Sequence, residues 1–116
     1  MDFDAKSSRI ILDKTLERII KNENRDCYAF IIRLYDDLFR EISAIFRKLS
    51  LSIDDYLSEN DEKLIRDLKT VRSESIKKHN SDDSIEQDFL SNNLNSLKAL
   101  RERLILKVYD VDRKDY

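Results

Sequence analysis

This sequence predicts an all-α fold, an elongated antiparallel bundle of about four helices, on three observations. The 116 residues contain no glycine and no proline, where an average chain of this length carries about 14 of the two. Glycine supplies positive φ and proline stops helices, so a chain without either is built from helices. The apolar residues recur at i, i+4 and i+7 rather than alternating, which is the helical period. Finally, 41% of the chain is apolar and 40% is charged. The charged share is well above the usual quarter, and the balance suits long amphipathic helices around a narrow core.

The length fits one domain, read as a helical unit over residues 1–109 with a short polar C-terminal tail over 110–116. Helix one is predicted from Ser8 to Lys21, on Leu12, Leu16, Ile19 and Ile20. Asn22-Glu23-Asn24 closes it, since asparagine can take the left-handed position that glycine usually fills. Helix two runs from about Asp26 to Leu49 and is the most apolar. Helix three begins near Ser52 or Ser58 and continues to about Lys78. Both serines head a Ser-x-x-Asp pattern, with Asp55 and Asp61, so a short break near Ser58 fits. Asn80-Ser81-Asp82-Asp83 is a polar loop. Ser84-Ile85-Glu86-Gln87 reads as a capping box opening helix four, which continues to about Tyr109. Helices two to four would each span roughly 35–40 Å at about 1.5 Å per residue. Glu59–Lys63, Glu62–Arg66 and Glu74–Lys78 place the acid four residues before the base, each pair worth about 0.2–0.5 kcal/mol.

Turning helix two by about 100° per residue separates two stripes. Cys27, Ile31, Leu34, Leu38, Ile42, Ile45 and Leu49 form an aliphatic stripe, and Tyr28, Tyr35, Phe39 and Phe46 fall on a line beside it. The combined face is wider than one neighbouring helix needs. Two placements are open: helix two is central and touches several partners inside the bundle, or the aromatic line meets another subunit. Phe30 projects away from the main stripe, among Arg33, Asp37 and Lys48, and is the stronger candidate for a partner contact. In helix four, Leu104-Ile105-Leu106-Lys107-Val108-Tyr109 is apolar on nearly every side. Either the bundle wraps it or another subunit covers Leu106 and Tyr109. Arg101 sits within the stripe of Leu90, Leu94, Leu97, Leu104 and Val108. It either snorkels along the core edge or forms a buried ion pair that fixes helix register.

Composition also narrows the chemistry. Glycine-rich phosphate cradles, dinucleotide fingerprints and nucleophile elbows all need glycine. His79 is the sole histidine and Cys27 the sole cysteine, so neither has a companion for a metal set or an internal disulfide. Asp36, Asp37 and Glu41 lack the Glu-x-x-His pattern of di-iron bundles, and Asp82-Asp83 lacks the rest of a calcium loop. All of these read as solvated or capping groups. No catalytic residue, cofactor site or metal site is expected. The net charge of −2 creates no global field for nucleic acid. Lys98, Arg101, Arg103 and Lys107 form a local basic run with few intervening acids, the best place for a nucleic-acid contact. No apolar run reaches the roughly 20 residues of a membrane span, and a cytoplasmic or nuclear location is expected.

Helices three and four resemble the helical domain of GINS subunits, the replication factors of archaea and eukaryotes. The matching features are Asp55-Tyr56-Leu57 opening a charged helix with Leu64, Leu68 and Val71, the acidic loop Asp82-Asp83, and a last helix from Asp88-Phe89-Leu90 through Leu100-Arg101-Glu102-Arg103-Leu104-Ile105-Leu106. The resemblance is one of pattern and covers roughly Tyr28 to Tyr109. It implies a non-enzymatic subunit of a tetramer that bridges the MCM ring helicase and a RecJ-like partner. The sequence-level expectation is therefore a helical protein-interaction scaffold, homo- or hetero-oligomeric. Its candidate interface residues are Tyr28, Phe30, Tyr35, Phe39, Phe46, Leu106 and Tyr109. A self-associating adaptor outside replication and a small nucleic-acid-binding protein are the alternatives.

Overall fold

The computed structural model describes residues 5–25, 27–77 and 84–114, the side chains of 5, 6 and 111–114 excepted. Four α-helices account for nearly all of them: α1 (Ala5–Asn22), α2 (Tyr28–Lys48), α3 (Glu59–Lys77) and α4 (Ser84–Lys114), with a 3-10 turn at Ile53–Tyr56 before α3. Among the described residues there is no strand. The predicted all-α bundle is the observed fold.

Consecutive helices run antiparallel. Asp36 of α2 pairs with Arg72 of α3, while Phe39 and Ser43, further along α2, face Lys69 and Ile65. Asp61 of α3 pairs with Arg103 of α4, while Asp67 faces Asn93 and Ser96. The helices are not evenly spaced around a square, for α2 and α4, which run parallel, share the most extensive contact among the described elements. They form the spine, with α1 on one side and α3 on the other. The body measures 49 × 28 × 24 Å. Its long axis matches the 31 residues of α4, about 47 Å at about 1.5 Å per residue.

Helix α2 settles the question its wide apolar face raised. It packs against α1, α3, α4 and the 3-10 turn, and both stripes lie inside. Tyr35 and Phe46 are fully buried and Phe39 is nearly so. These three are core residues rather than anchors for another subunit. A helix with three neighbours must be apolar over more than half its circumference, which is why two stripes were needed. Ile32, outside both stripes, is buried as well. Phe46 meets Tyr56 edge-on, with ring centres 5.3 Å apart.

The helix ends show how the chain manages without glycine. At the end of α2, Ser50 adopts φ 62°, the only positive φ among the described residues. Its N–H donates to the Arg47 carbonyl and that of Leu51 to the Phe46 carbonyl, the paired closure of a Schellman motif. Serine fills the position that favours glycine, at a steric cost of about 1–2 kcal/mol. The asparagines after α1 do not take this role. Asn22 instead donates its side-chain amide to the Arg18 carbonyl, and neither it nor Asn24 has positive φ.

Of the two serine patterns ahead of α3, only the second caps an α-helix. The Ser58 N–H donates to Asp61 Oδ2 (3.0 Å) and the Asp61 N–H to Ser58 Oγ (3.1 Å), a reciprocal capping box with aspartate in the usual glutamate position. Ser52 precedes only the 3-10 turn, and its side chain caps nothing. The break at Ser58 makes α3 shorter than the sequence suggested. α4 is longer, staying helical to Lys114, so positions 110–114 of the expected tail belong to the helix. The polar loop at 80–83 and His79 lie outside the described residues.

Candidate functional site

The basic run of α4 is spent within the molecule. Lys98 Nζ lies 3.2 Å from Glu23 Oε2, and the Arg101 guanidinium donates to Glu23 Oε1 and, at 2.7 Å, to the Tyr35 hydroxyl. Tyr35 donates its own proton to Glu23 Oε1 at 2.7 Å. Arg103 donates to Asp61 Oδ1 at 2.8 Å, and the Lys107 ammonium sits 5.1 Å from the centre of the Tyr56 ring, a cation–π contact. Two of the four thus reach the segment leaving α1, and two reach the entry to α3.

This overturns Arg101 as a nucleic-acid contact. It is 8% exposed and forms the buried ion pair that was one of its two readings, with Glu23 as the partner. Lys98, Arg103 and Lys107 keep part of their surface, yet each is drawn towards an acid or a ring of its own chain. A phosphate-facing stripe needs its cations free on one side, and these point to opposite flanks of α4.

The ionisation of the cluster follows from its surroundings. Burial by itself would raise the Glu23 carboxyl, but hydrogen bonds from Tyr35, Arg101 and Lys98 outweigh it and hold the group below its ordinary 4.5. Burial raises the Tyr35 hydroxyl, and its bond to the Glu23 carboxylate raises it further. Asp61 has the same balance as Glu23: burial raises it, and the Ser58 N–H and Arg103 bring it below its ordinary 3.8. One carboxylate therefore starts α3 and docks α4 onto it.

Asp36 was read as solvated and is fully buried, held by Arg72 and by Arg40 Nε at 3.2 Å. Its angle on α2 borders the aromatic line, so burying that line carries Asp36 inwards. The partner comes from α3, which periodicity on α2 alone does not reveal.

One apolar surface left open lies between α1 and α4. These helices touch at two clasps. One is the Glu23–Arg101–Lys98 cluster. At the other, Tyr109 donates to Asp13 Oδ1 at 2.6 Å, with the Arg9 guanidinium 5.2 Å from the Tyr109 ring centre. Burial and the Asp13 carboxylate push the Tyr109 hydroxyl up to about 12. Between the clasps a groove of about 330 Å³ is lined by Leu16, Ile20, Arg101, Glu102, Ile105 and Leu106. Leu106 is 67% exposed and Ile20 57% exposed on its lips, while Leu104, Ile105 and Val108 are buried. The bundle thus wraps the apolar end of α4 except at Leu106.

The remaining candidates scatter. Phe30 is 41% exposed in the first turn of α2, as its position off the main stripe predicted. Tyr28 is half-buried against the core, and Tyr109 is half-buried within its clasp. Sequence reasoning placed Ile19 and Ile20 on one apolar face. Adjacent helical residues point about 100° apart, and with Ile19 fully buried Ile20 is turned out. Cys27 is a free, half-buried thiol whose Sγ lies 3.6 Å from Asn22 Oδ1. Among the described residues no three histidine, cysteine or acidic side chains converge as metal ligands. None of their helices is long and apolar enough to cross a membrane. Compared with known proteins, the chain matches no family model, and no curated protein or solved structure is significantly similar to it.

Proposed function

We propose that this chain is a non-enzymatic helical scaffold, a protein-interaction subunit that engages its partner through the α1–α4 groove. The observation that carries this reading is the pair of exposed aliphatic side chains, Leu106 and Ile20, on the lips of a concave, apolar-lined groove. Single exposed hydrophobics are ordinary on a protein surface. Two on facing helices across one groove offer a partner side chain contact on several sides. Phe30 is a separate, smaller candidate contact. The nucleic-acid reading is less favoured because the basic residues of α4 are engaged at home.

The narrower form of the proposal is a GINS-like subunit of the DNA replication machinery, supported by the pattern resemblance of helices three and four. The test is affinity capture from extracts of the source organism with wild-type and Leu106→Asp baits, the variant's fold checked by circular dichroism. A protein retained by the first bait and lost by the second supports the scaffold reading, and identical recovery on both sinks it. Consistent absence of the MCM helicase from the wild-type eluate ends the replication form alone. Light scattering on the isolated chain separates a homo-oligomer from a subunit that needs foreign partners.

A further inference from the structure

We infer that the outward face of α2 is a docking surface of its own, and that its occupant is an acidic helix of a partner protein carrying a carboxylate at every seventh residue. This face lies away from the α1–α4 groove, so the inference goes beyond the reading above and stands or fails separately. Arg33, Arg40 and Arg47 are all exposed and stand seven residues apart. Seven residues rise about 10.5 Å and miss a whole number of turns by only about 20°. The three arginines therefore form one line about 21 Å long. Arg40 borders two shallow grooves, one shared with Thr15 of α1 and one with Lys69 of α3, so the line runs between those two helices. Arg40 holds the buried Asp36 through Nε, and 62% of its side chain stays exposed. Arg33 and Arg47 are not among the ion pairs of the described residues. Phe30, 41% exposed, stands one turn before Arg33, and an aromatic beside arginine is the residue set that anchors interfaces.

The pattern of charge, rather than its sum, selects the partner. Asp37 and Glu41 lie on the α1 side of the arginine line, in the groove with Thr15, and Asp37 is 3.6 Å from Arg72. Asp54 lies on the α3 side, in the groove with Lys69, and the adjoining groove carries one further acid, Glu62, and one further base, Arg66. Lys48 ends the face on α2, while Lys14 and Arg18 flank Thr15 on α1, all three exposed. The surface is thus a basic line edged by acids. A nucleic-acid backbone or an anionic membrane is negative throughout and would meet the edging acids as well as the arginines. Over about 10 Å a duplex strand also winds through roughly a third of a turn and leaves a straight line of cations. A partner helix has the same rise and the same small drift, so carboxylates seven residues apart stay over the three arginines. Its neighbouring positions are free to place lysines against Asp37 and Glu41.

The test titrates the full chain, isotope-labelled, with helical peptides of alanine and glutamine. One carries glutamates at i, i+7 and i+14 with a leucine one turn outside each end. A second has the same residues with the glutamates at i, i+5 and i+10, spread around its helix. The first is expected to shift the amides from Phe30 to Lys48 saturably, and more weakly as salt is raised. The second should bind about fivefold more weakly or worse. Arg33→Glu combined with Arg47→Glu leaves the Arg40–Asp36 contact in place and should weaken the first peptide about tenfold. A third peptide, with lysine at i and i+14, should recover binding to that double variant. Leu106→Asp, in the other groove, should change nothing. Absence of binding, shifts centred elsewhere, equal binding of the first two peptides, or binding that survives the double reversal overturns the proposal. Loss of binding in Leu106→Asp would place the peptide in the α1–α4 groove and overturn it as well. So would a DNA duplex or an anionic vesicle that shifts the same amides at lower concentration than the first peptide, since the face would then read negative charge without regard to its pattern.

Discussion

On its α3 flank α4 is closed by packing, whereas on its α1 flank it is fastened at two points and open between them. Towards α3, Leu97, Leu100 and Leu104 share one core with Leu64 and Leu68, and the Arg103–Asp61 and Lys107–Tyr56 contacts only trim its edge. Towards α1, the order is reversed. Polar contacts at Glu23 and Tyr109 join the two helices, and the apolar groups Leu16, Ile20, Ile105 and Leu106 line a gap. Area burial is non-directional and closes whatever it can reach. Hydrogen bonds hold fixed lengths and can prop two helices apart. The same helix thus shows one flank closed by packing and another fastened by side-chain clasps.

The largest expected effect breaks the packed flank. Leu104→Ala, at a side chain 2% exposed, should cost about 2–5 kcal/mol through lost burial and the cavity left behind, read by urea denaturation. A cost under about 1 kcal/mol would mean the α3 flank is as loosely filled as the other. Next comes the clasp. Glu23→Gln should cost about 2 kcal/mol, the range for charged hydrogen bonds. It should also alter the pH dependence in one direction. The folded Glu23 carboxyl lies below its ordinary 4.5, so its stabilisation is complete above that value and is lost as pH falls through the lowered one. Wild-type stability should therefore drop more steeply on acidification than that of Glu23→Gln. Parallel profiles would show that the clasp does not depend on the carboxylate's charge.

The two flanks also differ in how far they could be read from the sequence. The packed flank was legible because periodicity reports which side chains a helix buries: Leu90, Leu94, Leu97, Leu104 and Val108 were one stripe, and all but the half-buried Leu94 are buried. The Ser58 break was legible as well, since a capping box is local and its partners are three residues apart. The clasps were not, because Glu23 and Arg101 stand 78 residues apart and nothing in a helical wheel selects one acid among 24 acidic residues. The short-range pairs Glu59–Lys63 and Glu62–Arg66, by contrast, were easy to draw and do not appear among the ion pairs, whose members mostly join different helices. The groove escaped for a related reason. Exposure of Leu106 and Ile20 follows from the spacing of α1 and α4, which the periodicity of neither helix reports.

A smaller effect sharpens the contrast between local and long-range determinants. Ser50→Gly should raise stability by about 0.5–1 kcal/mol. Glycine relieves the strain of φ 62°, and its greater freedom in the unfolded chain takes back part of the gain. The closing hydrogen bonds of the motif come from the backbone and survive the change. A loss of stability would mean the serine side chain supplies something beyond its backbone angle.

The smallest expected effect is the most informative about function. Leu106→Ala stands two positions from Leu104 on the same helix and is the same change of chemistry, yet its side chain is 67% exposed. It should alter stability by no more than about 0.5 kcal/mol, the range for surface positions. A stability rise would sharpen the comparison further, since water-exposed leucine retained at a net cost is what a binding surface requires. A loss near that of Leu104→Ala would mean that Leu106 is covered in solution by this chain or by a copy of it. Sedimentation at two concentrations separates these, because only a copy makes the loss depend on concentration. In either case the α1 flank would be closed, and the contrast between the two sides of α4 would disappear with the groove.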